Sequence, residues 1–292
     1  MPVRDRRDRC PGVLRPWPAD DGLLLRLRLV GGRLSGDALR GVLAAAEGFG
    51  DGRIRLTNRA NLQLRGFPAS SQPGQEGQPS AAAVDAIRAT GLLQHPDHDL
   101  VRNIMVSPLT GLDTGVEGGG RADLRGVAQE LDHLLVASPS LARLPGKFLF
   151  VLDDGSGHLM SHACDLGLVA LDAQTVQLRI GDGWGEVLPL GLAAARLAVL
   201  AEEFVERVGS QPEAPWHVVE YDGRLFPTVN PDPRLPQASD PLPFGPCPGG
   251  EHVEVGQGGI DRRLAEELLS RADEFVVTPW YGIIVPAQPT QN

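Results

Sequence analysis

Cysteine is scarce in this chain of 292 residues, with three in all: Cys10, Cys164 and Cys247. They lie far apart and form no C-x-x-C pair, so neither a disulfide framework nor a local iron–sulfur run is visible. Long apolar runs are missing too. No stretch approaches the ~18–20 residues of a membrane-spanning helix, and the charged, Pro-bearing N-terminus has no apolar signal segment. A cytoplasmic protein is expected. Lysine is nearly absent, with Lys147 alone among the basic residues. Positive charge is in deficit overall, and a net charge of −10 argues against general binding to nucleic acid or to a membrane surface. What remains is length and apolar content, 42% hydrophobic, enough for a substantial core and two or three subdomains.

Against that acidic background one stretch is basic, residues 53–66. At period two its apolar positions are Ile54, Leu56, Leu62 and Leu64. The alternate positions are Arg53, Arg55, Thr57, Arg59, Asn61, Gln63 and Arg65. Alternate residues of a strand face opposite ways, so a strand here carries one apolar face and one face of guanidiniums with neutral polar groups. A guanidinium is planar, permanently charged and forked to match carboxylates and small oxyanions. Two readings follow: a solvated face of an amphipathic hairpin, or a site for an anion. The Thr, Asn and Gln between the arginines favour the second.

The pattern elsewhere predicts a strand over 23–30 ending at Gly31-Gly32 and a helix over 35–46 capped by Ser35. A Pro/Gly/Ser/Gln-rich loop covers 68–80, followed by a helix to about residue 94. Residues 100–108 read as a short strand stopped by Pro108, with Arg102 as an ordinary solvent-facing side chain unless an anion claims it. Helices are predicted over 123–136 and 189–208, a strand over 144–155 running into an Asp-Gly turn, and a hairpin of 165–171 with 175–180. His158, His162 and Cys164 invite a metal reading. The local pattern is instead that of a hairpin, which sets the two histidines roughly 13 Å apart, and polar strand residues near a turn are the better account. Residues 209–250 are Pro-rich. The opening then returns: Cys247-Pro248-Gly249 echoes Cys10-Pro11-Gly12, and Gly258-Gly259 echoes Gly31-Gly32. A strand at 253–255, a helix over 261–272 and a strand over 275–280 complete an internal repeat of two half-units about a pseudo-twofold axis.

The segment Thr57-Asn58-Arg59-Ala60-Asn61-Leu62-Gln63-Leu64-Arg65-Gly66 resembles the T-x-R-x-x-x-Q-x-x-G signature of the nitrite/sulfite reductase superfamily. Cys10-Pro11-Gly12-Val13-Leu14-Arg15-Pro16, Asp21-Gly22-Leu23-Leu24-Leu25-Arg26-Leu27-Arg28 and Thr278-Pro279-Trp280 resemble its precorrin-3B synthase branch, although that branch usually has Arg where Tyr281 stands. Arg102-Asn103 through Pro108 resembles the family's R-N-x-x-x-x-P segment, and Pro145-Gly146-Lys147-Phe148-Leu149 its P-R-K-F-K segment, with Leu149 replacing the second lysine. The resemblance implies an α+β fold of two ferredoxin-like half-units plus one α/β lobe. The expected divisions are 1–67, first half-unit; 68–99, linker and helix; 100–210, lobe; 211–246, connection; and 247–292, second half-unit.

By that resemblance Arg59, Arg102 and Lys147 face an anionic tetrapyrrole, assisted by Arg55, Asn61, Gln63, Arg65 and Asn103, and the implied cofactors are sirohaem or non-haem iron and a [4Fe–4S] cluster. The implied activity is that of a precorrin-3B synthase-like oxidoreductase of cobalamin biosynthesis. The loss of one lysine at Leu149 speaks against reduction of a small oxyanion. The family's second lobe, which carries the four cluster cysteines, is expected beyond Asn292, and three scattered cysteines do not replace it. That leaves two alternatives: a tetrapyrrole-binding chain without redox chemistry, completed by a partner chain or a second copy over the missing lobe, or an inactive truncated homologue.

Overall fold

The computed structural model describes residues 10–113, 119–209, 214–221 and 226–287. The chain divides into two compact units, one of Leu100–Pro241 and one of Cys10–Asp99 with the chain from Leu242 on.

The first segment opens with β1 (Trp17–Ala19) and β2 (Gly22–Leu27), an antiparallel pair. β2 buries Leu23, Leu25 and Leu27 and turns Arg26 outward, the alternation a half-buried strand requires. It stops short of the predicted end, and the chain turns at Gly31 and Gly32, both at positive φ, into β3 (Arg33–Ser35). Ser35 caps α1 (Gly36–Phe49) by accepting the Ala38 N–H at 3.2 Å. The arginine stretch is where expectation and structure part. It is no single strand but two, β4 (Arg55–Leu56) and β5 (Leu62–Phe67), paired antiparallel across a turn at residues 57–61. The Thr57 N–H donates to Asn61 O and the Ala60 N–H to Thr57 O, both at 3.0 Å, and Ala60 takes φ 53°. Side-chain periodicity carries no trace of that reversal. The sheet order is β1-β2-β5-β4, and α2 (Ala81–Ala89), capped by Ser80, follows.

The second unit holds β6 (Ile104–Val106), α3 (Arg125–Ala137), β7 (Phe150–Asp153), β8 (Leu166–Ala170), β9 (Thr175–Ile180), β10 (Gly183–Pro189) and α4 (Ala193–Val208). Its sheet runs β10-β9-β8-β7-β6. The pairs β6–β7 and β7–β8 are parallel and buried along their length, which is why they read as unbroken apolar runs. Helices α3 and α4 pack on each other. Asp154-Gly155 does not close a hairpin. Because β7 and β8 are parallel, residues 154–165 form a connection between them, and His158, His162 and Cys164 sit in it. Asp153 folds its start, accepting N–H groups of Gly155, Gly157 and Leu159 at 2.8–3.0 Å. β10, absent from the sequence reading, carries a bulge between Trp184 and Val187 that breaks its alternation.

The chain then returns to the first unit with β11 (Gly245–Cys247), β12 (Gly250–Glu254), α5 (Arg262–Leu269), β13 (Glu274–Val277) and β14 (Gly282–Pro286). The strand expected over 275–280 ends at Val277, because the turn of the first half recurs: the Thr278 N–H donates to Gly282 O at 2.9 Å and Tyr281 takes φ 60°. Thus β2-α1-β4-β5 and β12-α5-β13-β14 are two copies of one βαββ unit. They are woven together. β3 of the first copy extends the sheet of the second in the order β11-β12-β14-β13-β3, and Ile260 of the second bridges Ile54 of the first. The second glycine of each pair makes this approach possible. A Cβ on Gly259 would lie 2.7 Å from Ile54 O, and one on Gly32 would fall inside contact with Val277 O. Helices α1 and α5 pack together and Glu47 pairs with Arg262. One apolar core serves both copies, from Leu25, Leu39 and Leu64 to Leu268 and Ile283. The expected α+β class, with two such half-units and an α/β lobe, is what the structure shows.

Candidate functional site

A cleft of about 400 Å³ opens on the first unit, over the β4–β5 turn and beside Gly256, Gln257 and Tyr281 of the second copy. Its floor is a row across three adjacent strands. Arg26 on β2 and Arg55 on β4 are both in register with Gln63 on β5, one on each side. The Arg26 Nη2 donates to Gln63 Oε1 at 3.1 Å. The Arg26 Nε and the Arg55 Nη1 are buried and have no hydrogen-bond partner among the described residues. A buried N–H without an acceptor costs about 1–3 kcal/mol, more on a charged group.

The remaining charge is partly offset from within. Arg55 also pairs with Asp51 at 2.6 Å. Arg65, which lines the same cleft, makes a two-pronged contact with Asp21 at 2.8 and 3.0 Å. That hydrogen bonding raises the guanidinium above its ordinary value and lowers the carboxyl. Arg59 sits half-buried at the turn, and Arg53 points elsewhere, donating to Gly258 O at 3.0 Å.

Asn61 departs from its expected place on the ligand face. It is 1% exposed, and its Oδ1 accepts the Leu29 N–H at 2.8 Å. Thr57 is buried as well, accepting the Asn61 N–H at 3.1 Å. Both hold the turn. Behind them Arg28 is buried, donating to Pro11 O at 3.2 Å, Asp99 O at 2.8 Å and the Cys10 Sγ at 3.4 Å. Burial lowers its pKa and raises that of Asp99, whose carboxylate takes the Val13 and Leu14 N–H groups. The opening Cys10–Arg15 segment is thereby tied to β2. Arg26 and Tyr281 were not among the residues singled out for the site. Arg26 could have been found, since it shares its strand face with Arg28 between buried leucines.

The other candidates lie in the second unit. Arg102 is committed to Asp132 by two bonds of 2.6 and 2.8 Å, with its side chain 15% exposed. Asn103 is buried, and its Nδ2 donates to Leu100 O at 3.1 Å and Gly146 O at 2.9 Å. It ties β6 to the Lys147 loop, and this amide fixes backbone instead of facing a ligand. Lys147 lies half-buried with its Nζ 4.5 Å from the centre of the Trp216 ring. Leu149, where the second lysine would stand, is 6% exposed and its N–H donates to Asp165. It belongs to the core.

The described residues include no group of three His, Cys, Asp or Glu placed to hold a metal ion. Cys10 and Cys164 are buried, and burial pushes the Cys164 thiol up to about 11. A four-thiolate cluster does not fit three cysteines. The Arg26–Gln63–Arg55 row is instead of the chemistry that suits a carboxylate, two guanidiniums and an amide along one side of the cleft. No helix among the described residues is long and apolar enough to cross a membrane.

In sequence and in fold the chain is similar to several known proteins. Residues 18–74 match the family described as nitrite/sulfite reductase ferredoxin-like half domain. The chain is 36% identical over 188 residues to a precorrin-3B synthase of Sinorhizobium sp, covering 64% of this chain and 36% of that protein. It is 31% identical over 150 residues to a ferredoxin–nitrite reductase of Leptolyngbya laminosa, covering 50% of this chain and 27% of that one. Among solved structures it resembles the Mycobacterium tuberculosis NirA protein, with TM-score 0.62 and 16% identity over 94% of this chain and 57% of the other. The chain spans about a third of the length of the curated relatives it matches.

Proposed function

From its resemblance in sequence and fold to the nitrite/sulfite reductase superfamily, and to precorrin-3B synthase in particular, we propose that this chain supplies the tetrapyrrole-binding part of an oxidoreductase of cobalamin biosynthesis. The observation that carries this reading is the row of Arg26 and Arg55 on either side of Gln63 in the lining of the cleft. A corrin precursor bears many carboxylates, and charge-assisted hydrogen bonds to them are about twice as strong as neutral ones. Arg26 and Arg55 hold a carboxylate, Gln63 fixes the fork of Arg26, and Arg65 adds positive field at the rim. The β4–β5 turn, locked by Thr57 and Asn61, keeps these groups in place before the ligand arrives. Arg59, at the turn, is assigned to a further carboxylate by the resemblance. Sirohaem or non-haem iron, when bound, would supply the redox chemistry. Its iron–sulfur partner would draw its thiolates from outside this segment.

Titration of the purified chain with sirohaem, followed by absorbance near 400 nm, tests the reading. Arg26→Gln and Arg55→Gln should each weaken binding about tenfold or more, from the ~1.5–3 kcal/mol of a charged hydrogen bond. Unchanged affinity in both variants would refute it. The count of cysteines favours a second reading, a binding chain without redox activity of its own. Iron and sulfide analysis separates the two: about four of each per chain supports a cluster completed by a partner, and none with intact macrocycle binding supports the binding chain.

A further inference from the structure

The turn that ends β13 asks for a small residue and has a large one. Its fourth position has positive φ in both copies, 53° at Ala60 and 60° at Tyr281, and these are the only non-glycine residues so placed among those described. Left-handed backbone is cheap for Gly or Asn, and for a bulky side chain it is an outlier. The hydrogen bonds fix it: the Val255 and Gly256 N–H groups both donate to Tyr281 O, at 3.1 and 3.0 Å, so the peptide cannot rotate away. The first copy meets the demand with alanine. The second carries a phenol ring, part of which packs on the core while part lines the arginine cleft.

The cleft also has a size. At about 400 Å³ it is near the lower end of ligand pockets, ~300–1,000 Å³, which leaves room for one edge of a tetrapyrrole and not the whole ring. Its lining is otherwise polar, with Leu56 and Tyr281 the apolar exceptions. An acidic edge entering it would place carboxylate on Arg26 and Arg55 and a flat pyrrole beside the Tyr281 ring.

We propose that Tyr281 is the specificity-determining residue of this cleft, stacking on a flat conjugated polycarboxylate and so selecting it over flexible acids of equal charge. This rests on the anion-binding reading above. The test is a titration of the full chain and its variants with sirohaem and, separately, with citrate as a flexible polyacid. Tyr281→Phe keeps the ring and should bind sirohaem within about twofold of the parent. Tyr281→Leu keeps apolar packing and Tyr281→Asn tolerates the left-handed backbone, so at least one of them should fold. Either should lose about tenfold or more in sirohaem affinity, as aromatic stacking does elsewhere, with citrate binding unchanged. Sirohaem affinity equal to the parent in a folded Leu or Asn variant, with Arg55→Gln still impaired, would overturn the role of Tyr281 and leave the anion cleft standing. A parent chain that binds no sirohaem would overturn both.

Discussion

Each arginine of the basic stretch has a different occupation, and those occupations decide what substitution does. Arg55 divides its fork between Asp51 and a buried, unpartnered Nη1. Asp51 therefore competes with any ligand for the same cation. Asp51→Asn should raise affinity for an anionic macrocycle several-fold, an effect that salt screens, and isothermal titration at two ionic strengths would show it. Arg65 and Asp21, at 34% and 45% side-chain exposure, form a solvent-screened rim pair that adds little to stability. Asp21→Asn should leave the melting temperature nearly unchanged.

A second residue-level prediction concerns the buried carboxylates of the other unit. Burial, aided by neighbouring Asp153 and Asp113, raises Asp154 to about 6 from 3.8. Its Oδ2, like Asp113 Oδ1, is buried without a hydrogen-bond partner among the described residues. A carboxyl with a raised folded pKa binds its proton more tightly in the native state. Its stability contribution is complete below about pH 4 and is lost as pH rises through about 6, an order of 3 kcal/mol at most. Asp154→Asn should remove that loss. Melting curves from pH 4 to 8 should show the variant gaining on the parent as pH rises, and parallel curves would contradict it.

At the level of elements, the repeat was legible because its markers are backbone demands. Gly32 and Gly259, the second glycine of each pair, stand where one copy passes against a strand of the other, and a Cβ at either would meet a carbonyl oxygen. Helix starts were legible for the same kind of reason, since Ser35, Ser80 and Asp261 each accept an N–H three residues on. The turn at 57–61 was not, because it is closed by backbone hydrogen bonds and a positive φ at an alanine, neither of which alternation reveals. Nor could the sequence tell that Asn61 and Asn103 would be spent on backbone groups. Their polarity suggested a ligand, and their partners are remote in sequence or lie across a turn. Gly32→Ala should destabilise the fold by more than ~1 kcal/mol, since it adds a clash with Val277 O to an unfavourable φ. Chemical denaturation would measure it.

Across the two half-units the symmetry of the backbone is not carried into the chemistry. The place of Arg26–Gln63–Arg55 in the first copy is taken in the second by His252–Ile284–Val276, by the same strand register. His252 is fully buried beside Phe244, with its ring nitrogens on Pro243 O and Thr278 Oγ1, and burial holds its pKa below the usual range. The second copy has no cationic floor. It lends a wall, Tyr281 with Gly256 and Gln257, to the cleft of the first. The cationic lining thus belongs to one of the two copies. The most direct measurement is the stoichiometry of sirohaem binding to the intact chain at low salt, by absorbance titration at protein concentrations well above Kd. One macrocycle per chain, lost in the Arg26→Gln/Arg55→Gln double variant and kept when His252 is replaced by Gln, is the predicted result. Two per chain, or one that survives the double variant, would contradict it.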